Sequence, residues 1–531
     1  ELFKKEFFNM PISVNYSKAL SSPKFQPGSD IILGDVSDVD EKYLTKRDLI
    51  IFNMGLDPRL SNIKDNLFNE LVDNLSLDYT YKYDVQSSPT ILNKENYNQV
   101  FKYNYISSKN DIELENYTFY PFNNILNDKE NSFLEKIKNF KINFRPKKII
   151  STGTYTQVNG ITINRNSPEN PIEDNTRTYS KTFKIDNYEV ISNLNTNYTI
   201  SMSSNINEDY IPTIANIIDP WSAVGDLKTW GETFSFSYRP EWADWLSPTF
   251  SYTPKYNWAK NLSSDVNNPA ASITSNNDFS MNFSFSVQKF IEIFYSSSNN
   301  SSSKTNSYKS KFSKNKTSSS NKKNDNLKID NRYIKSILKY FHTVSSRLSN
   351  VNITAKYKTN HKYTNIDADF SPDYYFRLGL YTEPEKLMQS LDEFQMGNLV
   401  NSNEQYFYNE YKFSTTLQVT KNLSLSGMEY KYTRTKNLFS DSETVTSIGN
   451  SFFPLGANGR NGLPFFNYSI NLSRLEQYWG LDKWFKSIIL SHSYSGGETK
   501  TYKEVDGLAL LEKVDFTKNF SPLISITGKL Q

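Results

Sequence analysis

The feature that most constrains this chain is strict alternation of apolar and polar residues. Between Leu75 and Val85, Leu75, Leu77, Tyr79, Tyr81, Tyr83 and Val85 fall on one face, and Ser76, Asp78, Thr80, Lys82 and Asp84 fall on the other. Successive side chains of an extended strand point to opposite faces, so a period of two predicts strands with one apolar and one polar face. The same rhythm returns at Ile12/Val14/Tyr16, Phe101/Tyr103/Tyr105, Tyr198/Ile200/Met202, Phe234/Phe236/Tyr238 and Phe279/Met281/Phe283/Phe285/Val287. It continues through Val351/Ile353/Ala355/Tyr357, Tyr411/Phe413/Leu417/Val419, Phe466/Tyr468/Ile470/Leu472 and Ile488/Leu490/Tyr494. The pattern predicts roughly 15 to 20 strands, more than an open sheet carries without curling or closing. Near Gly427 the apolar phase slips by one residue between Leu425 and Met428, as a β-bulge requires. Pro254 interrupts a strand reading Phe250, Tyr252, Tyr256, Trp258 and is expected at an irregular position.

Composition narrows the medium. The 531 residues include 36 Tyr and 36 Phe, yet mean hydropathy is −0.63. No run of about 18 apolar residues occurs, so helical membrane spans are excluded. Polar average with abundant Tyr and Phe suits transmembrane strands, which show lipid an apolar face with aromatic girdles and keep a wet interior. The expected fold is therefore all-β: a large transmembrane antiparallel β-barrel, partial in this chain, with a few short helices in loops. Leu75, Leu77, Tyr79, Tyr81, Tyr83, Phe234, Phe236, Tyr238, Phe283 and Phe285 are the expected lipid-facing or girdle side chains. Sixty Lys and Arg against 57 Asp and Glu leave a net charge of +3, which offers no field to recruit nucleic acid. Without Cys there is no disulfide framework, thiolate metal site or Cys nucleophile. The opening at Glu1 lacks a Met, a basic stretch and an apolar stretch, and reads as a piece of a longer, exported chain.

Barrel strands are expected over 1–295 and 329–531, separated at 296–328 by a disordered, Ser/Asn/Lys-rich loop in which Ser296 to Asn326 carries a single acid, Asp325. Its lysines read either as solvated linker or as contacts to anionic lipid headgroups. Helices are expected at Asn62 to Val72, Asn331 to Val344 and Glu383 to Phe394, capping or plugging the sheet. Trp221, Trp230, Trp242, Trp245 and Trp258 crowd together, with Trp479 and Trp484 forming a second group. They are read as interfacial anchors, with binding of a partner or carbohydrate as the alternative.

Little points to chemistry. His342, His361 and His492 are scattered, and His492 lies on the apolar phase between Leu490 and Tyr494, as a packing or girdle residue would. Ser491 and Ser493 flank it but project to the opposite face. Asp30, Asp35, Asp38 and Asp40 concentrate acid near one loop, though not at the EF-hand spacing that calcium binding would suggest. No enzyme, cofactor or metal site is expected.

Four segments, in order, resemble the SprA/Sov family, the outer-membrane translocon of the type IX secretion system and gliding-motility machinery. Met10 to Leu33 resembles its strand, Pro-Lys-aromatic turn and Pro-x-x-Asp-Ile step, through Pro23, Pro27 and Asp30. Gly231 to Trp258 is similar to a hairpin with an Asp-Trp pair, Asp244 and Trp245, and a closing Tyr-x-Trp at Trp258. Leu463 to Gly497 resembles a late hairpin, and Phe520 to Ile526 a strand entry through Phe520 and Pro522. Family chains are far longer, so this one would be a C-proximal portion. The resemblance implies part of a protein-conducting channel in the outer membrane of a Gram-negative bacterium, without catalytic residues. Its partners would be outer-membrane lipid, secreted cargo with C-terminal sorting domains, and plug and small β-barrel proteins. A partial barrel would leave two strand edges to be paired in the cell. Other large barrels, for lipopolysaccharide assembly or TonB-dependent transport, and a secreted β-rich adhesin are the alternatives.

Overall fold

A computed structural model describes residues 8–25, 30–32, 39–58, 72–121, 140–207, 210, 213, 216–217, 219–241, 243–261, 270–294, 332–368, 372–381, 403–438, 444–455, 461–505 and 507–530. The fold is all-β: the described residues form 22 strands and a few short helices, with antiparallel pairing along the meander and between the later strands. The chain forms two compact units, one of residues 1–237, 252–277 and 360–404 and the other of 238–251, 278–359 and 405–531.

The first unit holds β1 (Phe8–Asn9), β2 (Ile12–Ser21), β3 (Thr45–Pro58), β4 (Leu75–Ser87), β5 (Ile91–Ser108), the stubs β6 (Thr118–Phe119) and β7 (Ile142–Asn143), β8 (Lys148–Asn164), β9 (Ser167–Ile191) and β10 (Leu194–Asn205). Helix α1 (Asp111–Glu115) follows β5 and is started by a capping box between Asn110 and Glu113. The pairings β2–β3, β3–β4, β4–β5, β5–β8, β8–β9 and β9–β10 build a meander. Strands β11 (Asp226–Tyr238), β12 (Leu246–Lys260), β13 (Ala270–Phe285) and β14 (Val351–Asp367) contribute residues to both units. Helices α2 (Val287–Phe294) and α3 (Arg332–Ser345) lie between β13 and β14, and the single turn α4 (Tyr374–Arg377) follows β14.

The second unit adds β15 (Asn403–Gln418) from Gln405 onward, β16 (Leu423–Leu438), β17 (Thr444–Leu455), β18 (Asn461–Pro464), β19 (Asn467–Leu472), α5 (Leu475–Tyr478), β20 (Phe485–Val505), β21 (Leu508–Asn519) and β22 (Ser525–Leu530). Long strands branch between partners: β16 pairs with β17 at one end and β19 at the other, and β20 takes β17, β19, β21 and β22. The slip expected at Gly427 is present, with φ +60 there and a register shift between Ser426 and Glu429.

Local expectations meet mixed outcomes. Helix α3 occupies the predicted 331–344 stretch, whereas the 62–72 prediction, apart from helical Val72, and the 383–394 prediction lie outside the described residues, as does the 296–328 loop. Strand β12 runs unbroken through Pro254, which is buried. Strand β13 stops at Phe285, and Val287 opens α2 instead of extending the apolar row.

Candidate membrane-facing surface

Register turns the alternation of single strands into two continuous faces. Ile12, Val14 and Tyr16 lie opposite Met54, Phe52 and Ile50; these meet Tyr79, Tyr81 and Tyr83, and Leu77 and Tyr79 meet Tyr103 and Phe101. The row continues through Tyr155, Tyr179 and Phe183 to Ile200 and Met202. Rings touch across it: Tyr83 and Tyr97 stack with centroids 4.7 Å apart, and Phe52 and Tyr79 lie 6.4 Å apart. Tyr103 lies against Gly153, its register partner, where any Cβ would collide with the ring. Over β2 to β5 the expected lipid-facing residues Leu75, Leu77, Tyr79, Tyr81 and Tyr83 are half-buried by lateral neighbours, while Val14 and Phe101 expose 64% and 43% of their surface. In a sandwich this face would be the dry core. In the second unit, Tyr411 pairs with Tyr432 and Phe413 with Tyr430, and Tyr468, Ile470 and Leu472 lie opposite Tyr494, His492 and Leu490.

Short side chains hydrogen-bond to one another along the reverse face. Ser203 and Thr229 hydroxyls are 2.6 Å apart, Asn197 donates to Ser235, and Ser447 and Thr501 are 3.2 Å apart. Charges there pair across strands: Arg47 grips Asp84 with two hydrogen bonds of 2.9 and 2.6 Å, Lys431 reaches Glu410 at 2.9 Å, and Lys412 reaches Glu429 at 2.5 Å. Bidentate geometry makes the Arg47 contact the strongest of these.

The apolar face is not bare everywhere, and one covered patch lies in the first unit. Glu232 shares the phase of Phe234 and Phe236, Ser275 that of Ile273, and His361 that of Tyr363, and all three are buried. The turn α4 packs onto this patch. Asp373 caps it by accepting from the Phe376 N–H, Phe376 inserts between Tyr256 and Tyr363 at 6.3 and 6.4 Å, and Tyr252 donates to the Leu378 carbonyl at 2.6 Å. Arg377 forms a salt bridge with Glu232, whose other donor is the Trp230 indole N–H at 2.7 Å. Gly379, at φ +71, lies against Asn277 with no space for a Cβ.

A second segment covers Lys181, which sits between Tyr179 and Phe183 on the apolar phase. Its ammonium donates to the carbonyls of Asn216, Asp219 and Ser222 at 2.9, 2.5 and 2.5 Å. Tyr103 and Tyr179 hydroxyls donate to the Ile217 carbonyl, and Trp221 donates from its indole to Tyr198 while resting on Phe183. A buried cation is tolerated here because three carbonyl dipoles replace its water.

One tryptophan departs from the interfacial reading. Trp258, expected at an interface, is only 7% exposed and packs with Tyr256, Ala271, Ile273, Tyr363, Ile366 and Phe376. Trp245 packs edge-on against Phe285 and Phe290, Trp221, Trp479 and Trp484 are exposed, and Trp242 lies outside the described residues. Among the other expected residues, Phe236 contacts Tyr252, Tyr238 stacks on Phe250, and Phe283 meets Phe250 edge-on. Pro23 is half-buried and Asp30 exposed, Pro27 is outside the described residues, and Asp244 lies with Trp245 in the β11–β12 turn. Phe520 packs on His492 and Tyr494, and the Pro522 carbonyl accepts from the Ser493 N–H.

His492 is a packing residue. Its Nδ1 lies 2.6 Å from the Leu523 carbonyl and its ring between Tyr468 and Phe520. Ser491 and Ser493 hydrogen-bond to Asn471 and Ser469 on the other face, so no Ser–His pair forms. Asp35 and Asp38 lie outside the described residues. Asp40 caps a 3-10 turn, and hydrogen bonds from the Lys42 side chain and N–H hold its carboxyl below the ordinary carboxylate range. Among the described residues no group of three or more His, Asp or Glu is arranged around a common point. No protein-family model and no curated protein matches the chain.

Proposed function

We propose that this chain supplies membrane-crossing strands of an outer-membrane β-barrel, its apolar face against lipid and its polar face lining a water-filled lumen. The observation that supports this reading is the aromatic face of β2 to β4, where Val14 and Tyr16 stay exposed, backed by a polar face rich in cross-strand pairs. A secreted adhesin would need a second apolar layer over the same face, which is absent among the described residues. Strand β2 pairs with β3, and β21 and β22 pair with β20; no second neighbour is described for any of them. In lipid those edges would have to be closed by further strands or a partner.

Within that class, the proposed role is part of the protein-conducting channel of a type IX secretion and gliding-motility system. The support is the four family-like segments in order. A wall of Ser, Thr, Asn and internally paired Lys and Glu offers a passing chain water and few free charges, which limits retention. Deleting the gene tests both levels. The reading expects cargo with C-terminal sorting domains to accumulate in the periplasm; normal secretion with defective lipopolysaccharide export or nutrient uptake would favour the other large barrels. Release of the protein from membranes by carbonate without detergent would contradict a barrel of any kind.

A further inference from the structure

Helix α2 follows β13 directly and α3 leads into β14, so both stand at one end of that strand pair within the second unit. They pack on each other, with His342 Nε2 3.6 Å from Glu292 Oε1. Phe290 of α2 fixes the pair to the strand ends, edge-on to Trp245 at 5.0 Å and 5.6 Å from Phe285. The Ser286 N–H adds a hydrogen bond to the Trp245 carbonyl. The remaining apolar surface faces outward. In α3, Ile337, Tyr340, Phe341 and Val344 recur at i, i+3, i+4 and i+7 and are 55, 70, 53 and 42% exposed. Ile293 and Phe294 of α2 are also exposed, and Ser345 is buried. A helix of a water-soluble domain turns such a stripe toward its own core. Helix α3 contains Arg332, Lys335 and Lys339 and no acid, and Lys289, Lys339 and Arg347 are exposed.

We propose that α2 and α3 form an in-plane membrane anchor: the stripe enters the boundary between headgroups and acyl chains, and the exposed cations meet lipid phosphates. The proposal rests on the reading that the apolar strand face contacts lipid. Two features select a bilayer as the occupant. The Trp245, Phe285 and Phe290 contacts make the helix pair continuous with the Phe250 and Phe283 row of the strands. An acid-free helix with an apolar stripe also carries the charge that anionic headgroups attract.

Because the chain has no Cys, a single introduced cysteine reports one position. Tyr340→Cys and Phe341→Cys, with Tyr81→Cys on the apolar strand face and Lys82→Cys on the polar face, would each carry an environment-sensitive fluorophore. The full-length protein is placed in vesicles of phosphatidylethanolamine and phosphatidylglycerol brominated either near the headgroup or near the chain ends. The expected result is quenching at 340 and 341 that is at least about twofold stronger with the shallow bromines, as an in-plane helix requires. Position 81 is quenched by at least one lipid and position 82 by neither. Quenching at 81 but not at 340 or 341 overturns the anchor and leaves the strand reading standing. Absence of quenching at 81 removes the reading beneath it. Disulfide-linked dimers through position 340, without lipid quenching, would overturn the anchor in favour of a second copy.

Discussion

Replacing Arg377 by Met is the perturbation whose effect follows most directly from the covered patch. The Glu232 side chain is 4% exposed and is held by two donors, Arg377 and the Trp230 indole N–H. Removing one partner of a buried ion pair costs about 3–5 kcal/mol, because the remaining charge stays out of water. The Arg377 side chain is 22% exposed, so water entering its place offsets part of this, and about 2–3 kcal/mol is expected. The loss falls on docking of α4. At a factor of ten per 1.4 kcal/mol, the undocked population rises by about 30- to 150-fold. Hydrogen exchange of the Phe376, Gly379 and Leu380 amides reads it, since each donates within the docked turn. Pairing the change with Glu232→Gln removes the stranded charge, keeps an acceptor for Trp230, and should bring exchange back to within about 1 kcal/mol of the parent. Unchanged exchange in Arg377→Met, or a double variant worse than the sum of the singles, would refute the reasoning.

Other outcomes follow from the same geometry. Gly379→Ala forces a side chain into left-handed backbone and against Asn277, so about 2 kcal/mol or more of docking should be lost in the same exchange measurement. Trp258→Ala should cost about 3–5 kcal/mol through the cavity left among Tyr256, Ile273 and Phe376, read as a lower denaturant midpoint in detergent. Lys181→Met takes the shared donor from three carbonyls, costs about 1–3 kcal/mol, and should speed proteolysis between Thr213 and Trp221 without changing strand content by circular dichroism.

Strand identity was legible because the signal is local. From Leu75 to Val85 the chain alternates without a slip, and β4 covers that stretch with each residue on its expected face. Gly427 announced its bulge for the same reason: a one-residue change of phase has one geometric cause. The covers were not legible, since Tyr256 and Trp258 keep the apolar phase of Phe250, and what lies above them comes from Tyr374 to Gly379, more than a hundred residues later. A signal existed nonetheless. Lys181, Glu232, Ser275 and His361 all break the apolar phase, and a polar residue on an otherwise apolar row needs either water or a lid. Reading those breaks together would have marked the patch, though not the segments that seal it.

The central claim, that the apolar face meets lipid and the polar face meets water, is tested most directly by a spin-label scan of β4 in reconstituted membranes. Single cysteines at each position from Leu75 to Val85 are labelled and their collision rates with oxygen and with a water-soluble nickel chelate are measured. The account predicts two waves of period two in opposite phase, oxygen highest at 75, 77, 79, 81, 83 and 85 and nickel highest at 76, 78, 80, 82 and 84. Odd positions shielded from both reagents would mean a dry protein core, and nickel access on both faces would mean no bilayer contact; either result would contradict the account.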